Sequence, residues 1–207
     1  MRTQIMLAAV IVANFACTAS AAVLDCKKLA EGKGILSGQA TQGAPDSEKN
    51  LLKFTIAHDE HVVVTMTNVA KAQTTTSRLD GIILLETSIG TPPKTFVSSF
   101  DGFTGDMSSL EAGTRSSYTH AIKVDGQDFR TEQVTQEIGA RSFKALSGCN
   151  IETVRVHRDI DEGNGNRRSN DFDFAPSVGI PVYSSSFSLK SGKTSVSVFE
   201  MTSLETE

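Results

Sequence analysis

Short apolar stretches rich in β-branched residues follow one another along this chain, and Gly, Asn, Asp and Ser separate them. Within many of these stretches apolar and polar residues alternate, which is the period of a β-strand with one buried face. Few segments show the repeat of a helix. The pattern predicts strands at Leu51 to Ala57, His61 to Val69, Gly81 to Thr87, Lys94 to Phe100, Tyr118 to Val124, Gln127 to Glu137, Ile151 to Ile160, Asp171 to Ala175, Val182 to Leu189 and Thr194 to Thr202.

Several connections between these stretches have the chemistry of β-hairpin turns. Asp125-Gly126 and Ser191-Gly192 each join two predicted strands, and residues 163–166 read Gly-Asn-Gly-Asn. Gly and Asn accept the positive φ angles that tight hairpin turns require. We therefore predict an all-β fold built as a single antiparallel meander. Because many strands in one domain must protect their edges, we expect a strongly curved sheet or partly closed barrel, with a two-sheet β-sandwich as the alternative.

Other segments lack the strand pattern. Helical turns are predicted at Cys26 to Ala30 and at Ser108 to Ala112, and loops at Gly38 to Lys49, Ser88 to Lys94 and Gly102 to Ser117.

The first residues have the layout of a secretory signal. Arg2 precedes an uncharged apolar run from Ile5 to Ala13, and Ala19-Ser20-Ala21 supplies the small residues that signal peptidase requires. We therefore predict a cleavable signal peptide at residues 1–21, followed by a single β-rich domain at residues 22–207. No later segment is long and apolar enough for a transmembrane helix, so we expect no transmembrane segment. This indicates an exported protein, with the periplasm as the favoured location and secretion as the alternative.

The cysteines support the same placement. Cys17 would leave with the signal, so the mature chain keeps Cys26 and Cys149. Two thiols in an oxidising compartment favour one disulfide, which would tie the N-terminal segment to the interior of the sheet. The alternative, an outer-membrane lipoprotein acylated at Cys17, is disfavoured because Asn14 stands where an aliphatic residue is expected.

The net charge and the missing motifs argue against several classes of function. The formal net charge is −4, so nothing attracts a polyphosphate backbone and nucleic acid is not an expected partner. Neither a phosphate-binding loop nor a dinucleotide fingerprint is present, and we expect no cofactor. Serine-hydrolase motifs are also missing, so the residues favour a non-catalytic protein over an enzyme.

Two histidines form a candidate metal site. In His58-Asp59-Glu60-His61, a turn at the two acidic residues would make His58 and His61 a cross-strand pair within reach of one metal ion. A tight site needs three or four ligands, and the other histidines give no spacing signal. A solvated hairpin tip is the alternative.

A basic run on one predicted strand forms a candidate anion-binding site. Arg155, His157 and Arg158 flank the hairpin at residues 163–166, and alternation places Arg155 and His157 on one face. Such side chains could hold an anionic headgroup. The alternative is a solvated face with salt bridges to neighbouring carboxylates.

The C-terminal third resembles a known pattern. Gly148-Cys149-Asn150-Ile151-Glu152-Thr153-Val154 is followed by a charged hairpin and then by Phe172-Asp173-Phe174-Ala175-Pro176-Ser177-Val178-Gly179-Ile180-Pro181-Val182. This order is similar to that of uncharacterised exported proteins of proteobacteria. The resemblance implies a periplasmic, β-rich protein of unknown activity and supplies no catalytic residues.

These observations favour an exported envelope protein that binds an apolar or amphipathic small molecule, or a partner protein, because curved sheets readily enclose a cavity. A metal-dependent hydrolase that uses the His58 and His61 pair is one alternative. The other is a structural component of envelope assembly that recruits a partner chain at a strand edge.

Overall fold

Alternating apolar and polar residues form strands along most of the chain that the structure describes. The computed structural model describes residues 24–32, 34–106 and 108–206. Within those ranges the chain forms one short helix, α1, and twelve strands. The elements are α1 (Cys26–Ala30), β1 (Gly34–Gly43), β2 (Asn50–His58), β3 (Val62–Asn68), β4 (Gln73–Asp80), β5 (Ile83–Ile89), β6 (Lys94–Thr104), β7 (Arg115–Val124), β8 (Gln127–Leu146), β9 (Cys149–Gly163), β10 (Asn166–Ala175), β11 (Ile180–Lys190) and β12 (Lys193–Thr206).

Each strand pairs antiparallel with the next one in the chain, and β12 pairs back with β1. The meander therefore closes into a barrel. Closure pairs the two strands that would otherwise present free backbone N–H and C=O groups at a sheet edge. The prediction of an all-β, antiparallel meander that curves towards a barrel is confirmed, and the barrel replaces the β-sandwich alternative.

The pleat of the strands sorts side chains between the inside and the outside of the barrel. In β2, the buried residues Leu52, Phe54 and Ile56 alternate with more exposed ones. Gly38 of β1 allows the close approach that this packing needs, because a Cβ there would lie 2.7 Å from the Phe54 ring and 2.3 Å from the Ser203 carbonyl oxygen. The absent side chain thus gives the Phe54 ring its place in the core.

The two ends of the barrel differ. The end that carries α1, here called the helix end, is filled by a core cluster that includes Leu29 of the helix and Val178 of the β10–β11 connection. The opposite end, here called the hairpin end, carries the tight turns at Asp125-Gly126 and Ser191-Gly192, whose four residues all have positive φ. The helix end is therefore packed with apolar side chains, and the hairpin end consists of solvent-facing turns.

A disulfide ties the helix to the barrel. Asp25 caps α1 by accepting hydrogen bonds from the backbone N–H groups of Lys27 and Lys28. One residue later, Cys26 is bonded to Cys149 at the start of β9, with the two Cα atoms 5.6 Å apart. The predicted disulfide is confirmed, and it holds α1 against the helix end.

The sequence prediction was wrong in several places. The predicted loop from Gly38 to Lys49 contains most of β1, and β4 was not predicted at all. Strand β8 continues to Leu146, past the predicted end at Glu137. The helical turn at Cys26 to Ala30 is confirmed, but residues 108–112 form no helix.

The predicted signal peptide at residues 1–21 and the alternative lipid site at Cys17 lie outside the described residues. Among the residues that the structure does describe, no helix has the length and apolar character needed to cross a membrane.

Candidate ligand-binding cavity

A cavity of about 360 Å³ lies inside the barrel, next to the core cluster of the helix end. Strands β3 to β5 line it on one side and β9 to β12 on the other, and Gln42 of β1 also contributes. Its wall is largely apolar, and its volume lies in the range of small-molecule sites in proteins. The apolar side chains that line it include Val64, Met66, Leu79, Phe172, Phe174 and Phe199.

The strand register explains where the apolar part of the wall comes from. Phe172 of β10 lies opposite Val156 of β9 on one side and Ser184 of β11 on the other. Ser184 in turn lies opposite Phe199 of β12. These side chains form one row that crosses the strands inside the barrel. The small Ser184 between the two phenylalanines contributes to the space in the cavity.

A second row, two residues closer to the hairpin end, is polar. It crosses four neighbouring strands, and each residue lies opposite the next: Gln136 of β8, Arg158 of β9, Asn170 of β10 and Ser186 of β11. Arg158, Asn170 and Ser186 line the cavity. The cavity thus has an apolar wall on its helix-end side and a polar row on its hairpin-end side, which is the polarity of an amphipathic molecule.

Arg158 is the charged residue of this row, and its contacts are all with neutral groups. Its Nε donates to the Gln136 side-chain oxygen at 2.7 Å, and its Nη2 donates to the Ile82 carbonyl oxygen at 2.7 Å. The guanidinium lies over the Phe172 ring, with Cζ 5.1 Å from the ring centroid. These contacts hold the guanidinium in one orientation inside the barrel, against an aromatic face.

No carboxylate of the described residues forms an ion pair with Arg158. Among the ion pairs that join described residues, none includes Arg158. Burial lowers the pKa of Arg158, but a guanidinium remains protonated in proteins near neutral pH. Arg158 is half-buried, and a charge that is largely withdrawn from water without a partner of opposite sign is costly in free energy, so this position favours an anion in the adjoining cavity.

Asn170 adds a polar side-chain oxygen that has no hydrogen-bond partner among the described residues. Its Oδ1 atom is buried and makes no hydrogen bond to any described residue. The residue lies directly opposite Arg158 and lines the same cavity. A polar ligand atom placed there would supply the missing hydrogen bond, since the amide presents either its oxygen or its nitrogen after a flip.

A separate charged cluster, here called the Glu132 cluster, lies inside the barrel nearer the hairpin end. The Glu132 side chain is 0% exposed, with Arg130 Nε at 2.7 Å and Arg168 Nη2 at 3.2 Å from its Oε1 atom. His120 Nδ1 lies 3.2 Å from the other oxygen, and His120 Nε2 lies 2.9 Å from Ser98 Oγ. Burial would raise the pKa of Glu132, but His120, Arg168 and Arg130 together lower it.

The order of Ser98, His120 and Glu132 matches the order of groups in an acyl-transfer triad. In such a triad the carboxylate serves the histidine, and its charge stabilises the histidinium that forms. Here two guanidinium groups share the Glu132 carboxylate and already compensate its charge. We therefore assign the Glu132 cluster a structural role, in which it joins β6, β7, β8 and β10 inside the barrel.

The structure separates the three residues of the predicted anion site. Arg158 faces the cavity, whereas Arg155 and His157 lie on the outer face, as alternation predicted for that pair. Arg155 Nε lies 2.8 Å from Asp173 Oδ1. His157 lies between two carboxylates, with Nδ1 3.0 Å from Asp171 and Nε2 3.2 Å from Asp159. The outer pair is thus engaged with neighbouring carboxylates.

The contacts of His157 predict how it titrates. The hydrogen bond to Asp171 raises its pKa above 6.5, burial opposes this, and the bond to Asp159 adds to the rise. The folded state binds the His157 proton more tightly than the unfolded state does, so protonation of His157 stabilises the fold. This stabilisation is complete below the unfolded pKa and is lost as pH rises through the folded pKa. Proton NMR of the imidazole should give a midpoint above 6.5 that falls in Asp171→Asn, and an unchanged midpoint would contradict the contacts.

His58 and His61, the predicted metal pair, do not lie opposite each other as the predicted turn requires. Val62, and not His61, lies opposite His58. His58 Nε2 lies 3.0 Å from the Val178 carbonyl oxygen, and His61 Nδ1 is buried without a hydrogen-bond partner among described residues. Within the described ranges, no three His, Cys, Asp or Glu side chains gather as a metal site would require.

Comparisons with known proteins give one similar structure. No protein-family model and no curated protein matches this sequence. The solved structure of the hypothetical lipoprotein YmcC from Escherichia coli K12 aligns over 86% of this chain and 89% of that one, with a TM-score of 0.45 and 10% identity. A likeness this distant carries no function, and the cavity is interpreted from its own residues.

Proposed function

We propose that this protein is a non-catalytic binding protein of the cell envelope, and that it encloses the apolar part of a small amphipathic molecule in its barrel. The observation that supports this proposal is the cavity, which has an apolar wall beside a polar row. The disulfide supports a place outside the reducing cytosol, since such bonds persist in oxidising compartments. The periplasm, reached by cleavage of the predicted signal at residues 1–21, is part of the same proposal.

The volume of the cavity indicates the length of the chain that it can hold. A volume of about 360 Å³ lies at the lower end of the range of small-molecule sites in proteins. A single chain of about eight to ten carbons fits that space. At roughly 0.8 kcal/mol per buried CH₂ group, an eight-carbon chain gains about 6 kcal/mol, from which the cost of association is subtracted.

The experiment is a titration of ¹⁵N-labelled protein with 1-octanol, an uncharged amphiphile. We expect saturable shifts of amide signals in β9 to β12, with a dissociation constant below about 1 mM. Ser184→Leu, which fills the cavity, should weaken binding at least tenfold. Ser185→Leu adds the same side chain on the outer face and should leave binding unchanged. Weak, unsaturable shifts spread over the whole barrel would refute the proposal.

Recruitment of a partner protein by strand addition is limited to short edge segments of the barrel. Because β12 pairs with β1, no described strand is an edge strand over its whole length, and open edges are confined to segments such as residues 141–146 of β8, which pair with β9 alone because pairing with β7 ends at Glu137. A role in envelope assembly by strand addition would use such a segment.

A further inference from the structure

We propose that Arg158 binds the headgroup of the ligand, and that the ligand is a single-chain amphiphile with an oxyanion headgroup, a carboxylate or a phosphate. This rests on the proposed function, which it makes specific by assigning the chemistry of the polar end. Three features of the cavity support it: Arg158 has N–H donors that are not used within the described residues, it forms no ion pair with a carboxylate among them, and it lies in the cavity wall.

The guanidinium has donors left for a ligand. Its Nε and Nη2 atoms donate to Gln136 and Ile82, but Nη1 makes no hydrogen bond to any described residue, and Nη2 has a second hydrogen. These N–H groups lie at the end of the planar fork, where two parallel hydrogen bonds to a carboxylate or phosphate form. The protein therefore fixes one edge of the guanidinium and leaves the other for an anion.

The charge balance of the barrel interior separates Arg158 from the other interior arginines. Arg130 and Arg168 share Glu132 and also approach Glu162, with nitrogen to oxygen distances of 3.4 and 3.7 Å. Arg158, by contrast, is held by an amide and a carbonyl oxygen. Two interior arginines thus have carboxylate partners in the protein, and the one that lines the cavity would obtain its partner from the ligand.

The test compares octanoate, octyl phosphate and 1-octanol, which share one chain and differ in the headgroup, at pH 7.5 by NMR titration. We expect the wild-type protein to bind at least one of the two anions ten- to a hundredfold more tightly than octanol, as charged hydrogen bonds of this kind give. The anion preferred identifies the headgroup. Equal binding of all three compounds would overturn the inference and leave the proposed function standing, whereas no binding of any of them would refute both.

Two variants test whether Arg158 causes the preference for the anionic headgroup. Arg158→Gln removes the charge and should abolish the preference for the anion over octanol. Asn170→Asp has the same shape as wild type and places a carboxylate directly opposite Arg158, so it should compete with the ligand and abolish the preference in the same way. It also serves as the second test if Arg158→Gln fails to fold.

The matched control is Arg155→Gln. Arg155 lies on the same strand, three residues away, but on the outer face with Asp173. This variant should keep the wild-type preference for the anion. A preference that persists in Arg158→Gln or in Asn170→Asp, or that is lost in Arg155→Gln, would show that the anion binds elsewhere.

Discussion

Reduction of the Cys26–Cys149 disulfide is expected to lower the free energy of unfolding by about 5 kcal/mol. The bond joins residues 123 positions apart, so it closes most of the chain into one loop. In the chain-entropy model, closing a loop of about that length removes roughly 5 kcal/mol of conformational entropy from the unfolded state. That is a large share of the 5–15 kcal/mol typical of whole domains. Urea unfolding with and without a phosphine reductant measures this loss of unfolding free energy.

The matched comparison uses Cys26→Ser, in which the bond cannot form. It should unfold at the same urea concentration with and without reductant, close to that of the reduced wild type. Because Leu29 remains able to pack against the core, the barrel itself should keep its β-sheet circular dichroism spectrum. If reduction moves the wild-type midpoint by less than a tenth of its value, the helix and barrel are held together by packing, and not by the disulfide.

The sequence predicts strands best where period and turn chemistry agree. Predicted strands at Tyr118 to Val124 and at Ile151 to Ile160 lie within β7 and β9, and the Asp125-Gly126 turn follows β7 as expected. Apolar residues on one face and a Gly-containing turn at the end give two independent signals there.

The strands that were missed contain few large apolar residues. β4 contains Leu79 as its one large apolar residue among Thr, Ser and Gln, and its pairing with β3 and β5 decides its conformation. β1 contains Gly38, which reads as a loop residue but is needed where Phe54 packs against the backbone. In both strands tertiary contacts outweigh local preference, and no pattern in a single sequence reports such contacts.

The candidate site was only partly accessible from the sequence. Arg158 shares a strand face with the apolar Val156 and Ile160, and a charge on a buried face is the signal that separates it from Arg155 and His157. Its neighbours Gln136 and Asn170 come from two other strands. Their place beside Arg158 depends on the register of β8, β9 and β10, which cannot be predicted from the residue pattern of the sequence.

Glu132→Gln is expected to lower the free energy of unfolding by about 3 kcal/mol. The substitution keeps the shape but removes the charge that Arg130 and Arg168 both face. Breaking a buried ion pair by removing one partner typically costs 3–5 kcal/mol. The low end applies here because both arginines are about one-third exposed and retain Glu162 as a second partner. Glu86→Gln, at an exposed pair with Arg78, should cost about 1 kcal/mol or less.

Acid unfolding distinguishes the charge of Glu132 from its shape. Because its pKa is lowered in the folded state, the stabilisation it gives is complete above the unfolded value of 4.5 and is lost as pH falls through the folded pKa. The difference in stability between wild type and Glu132→Gln should therefore shrink as pH falls below 4.5. A difference that stays constant between pH 7 and pH 3 would mean that the carboxylate acts through packing, and the assignment of the Glu132 cluster as an electrostatic joint between strands would fail.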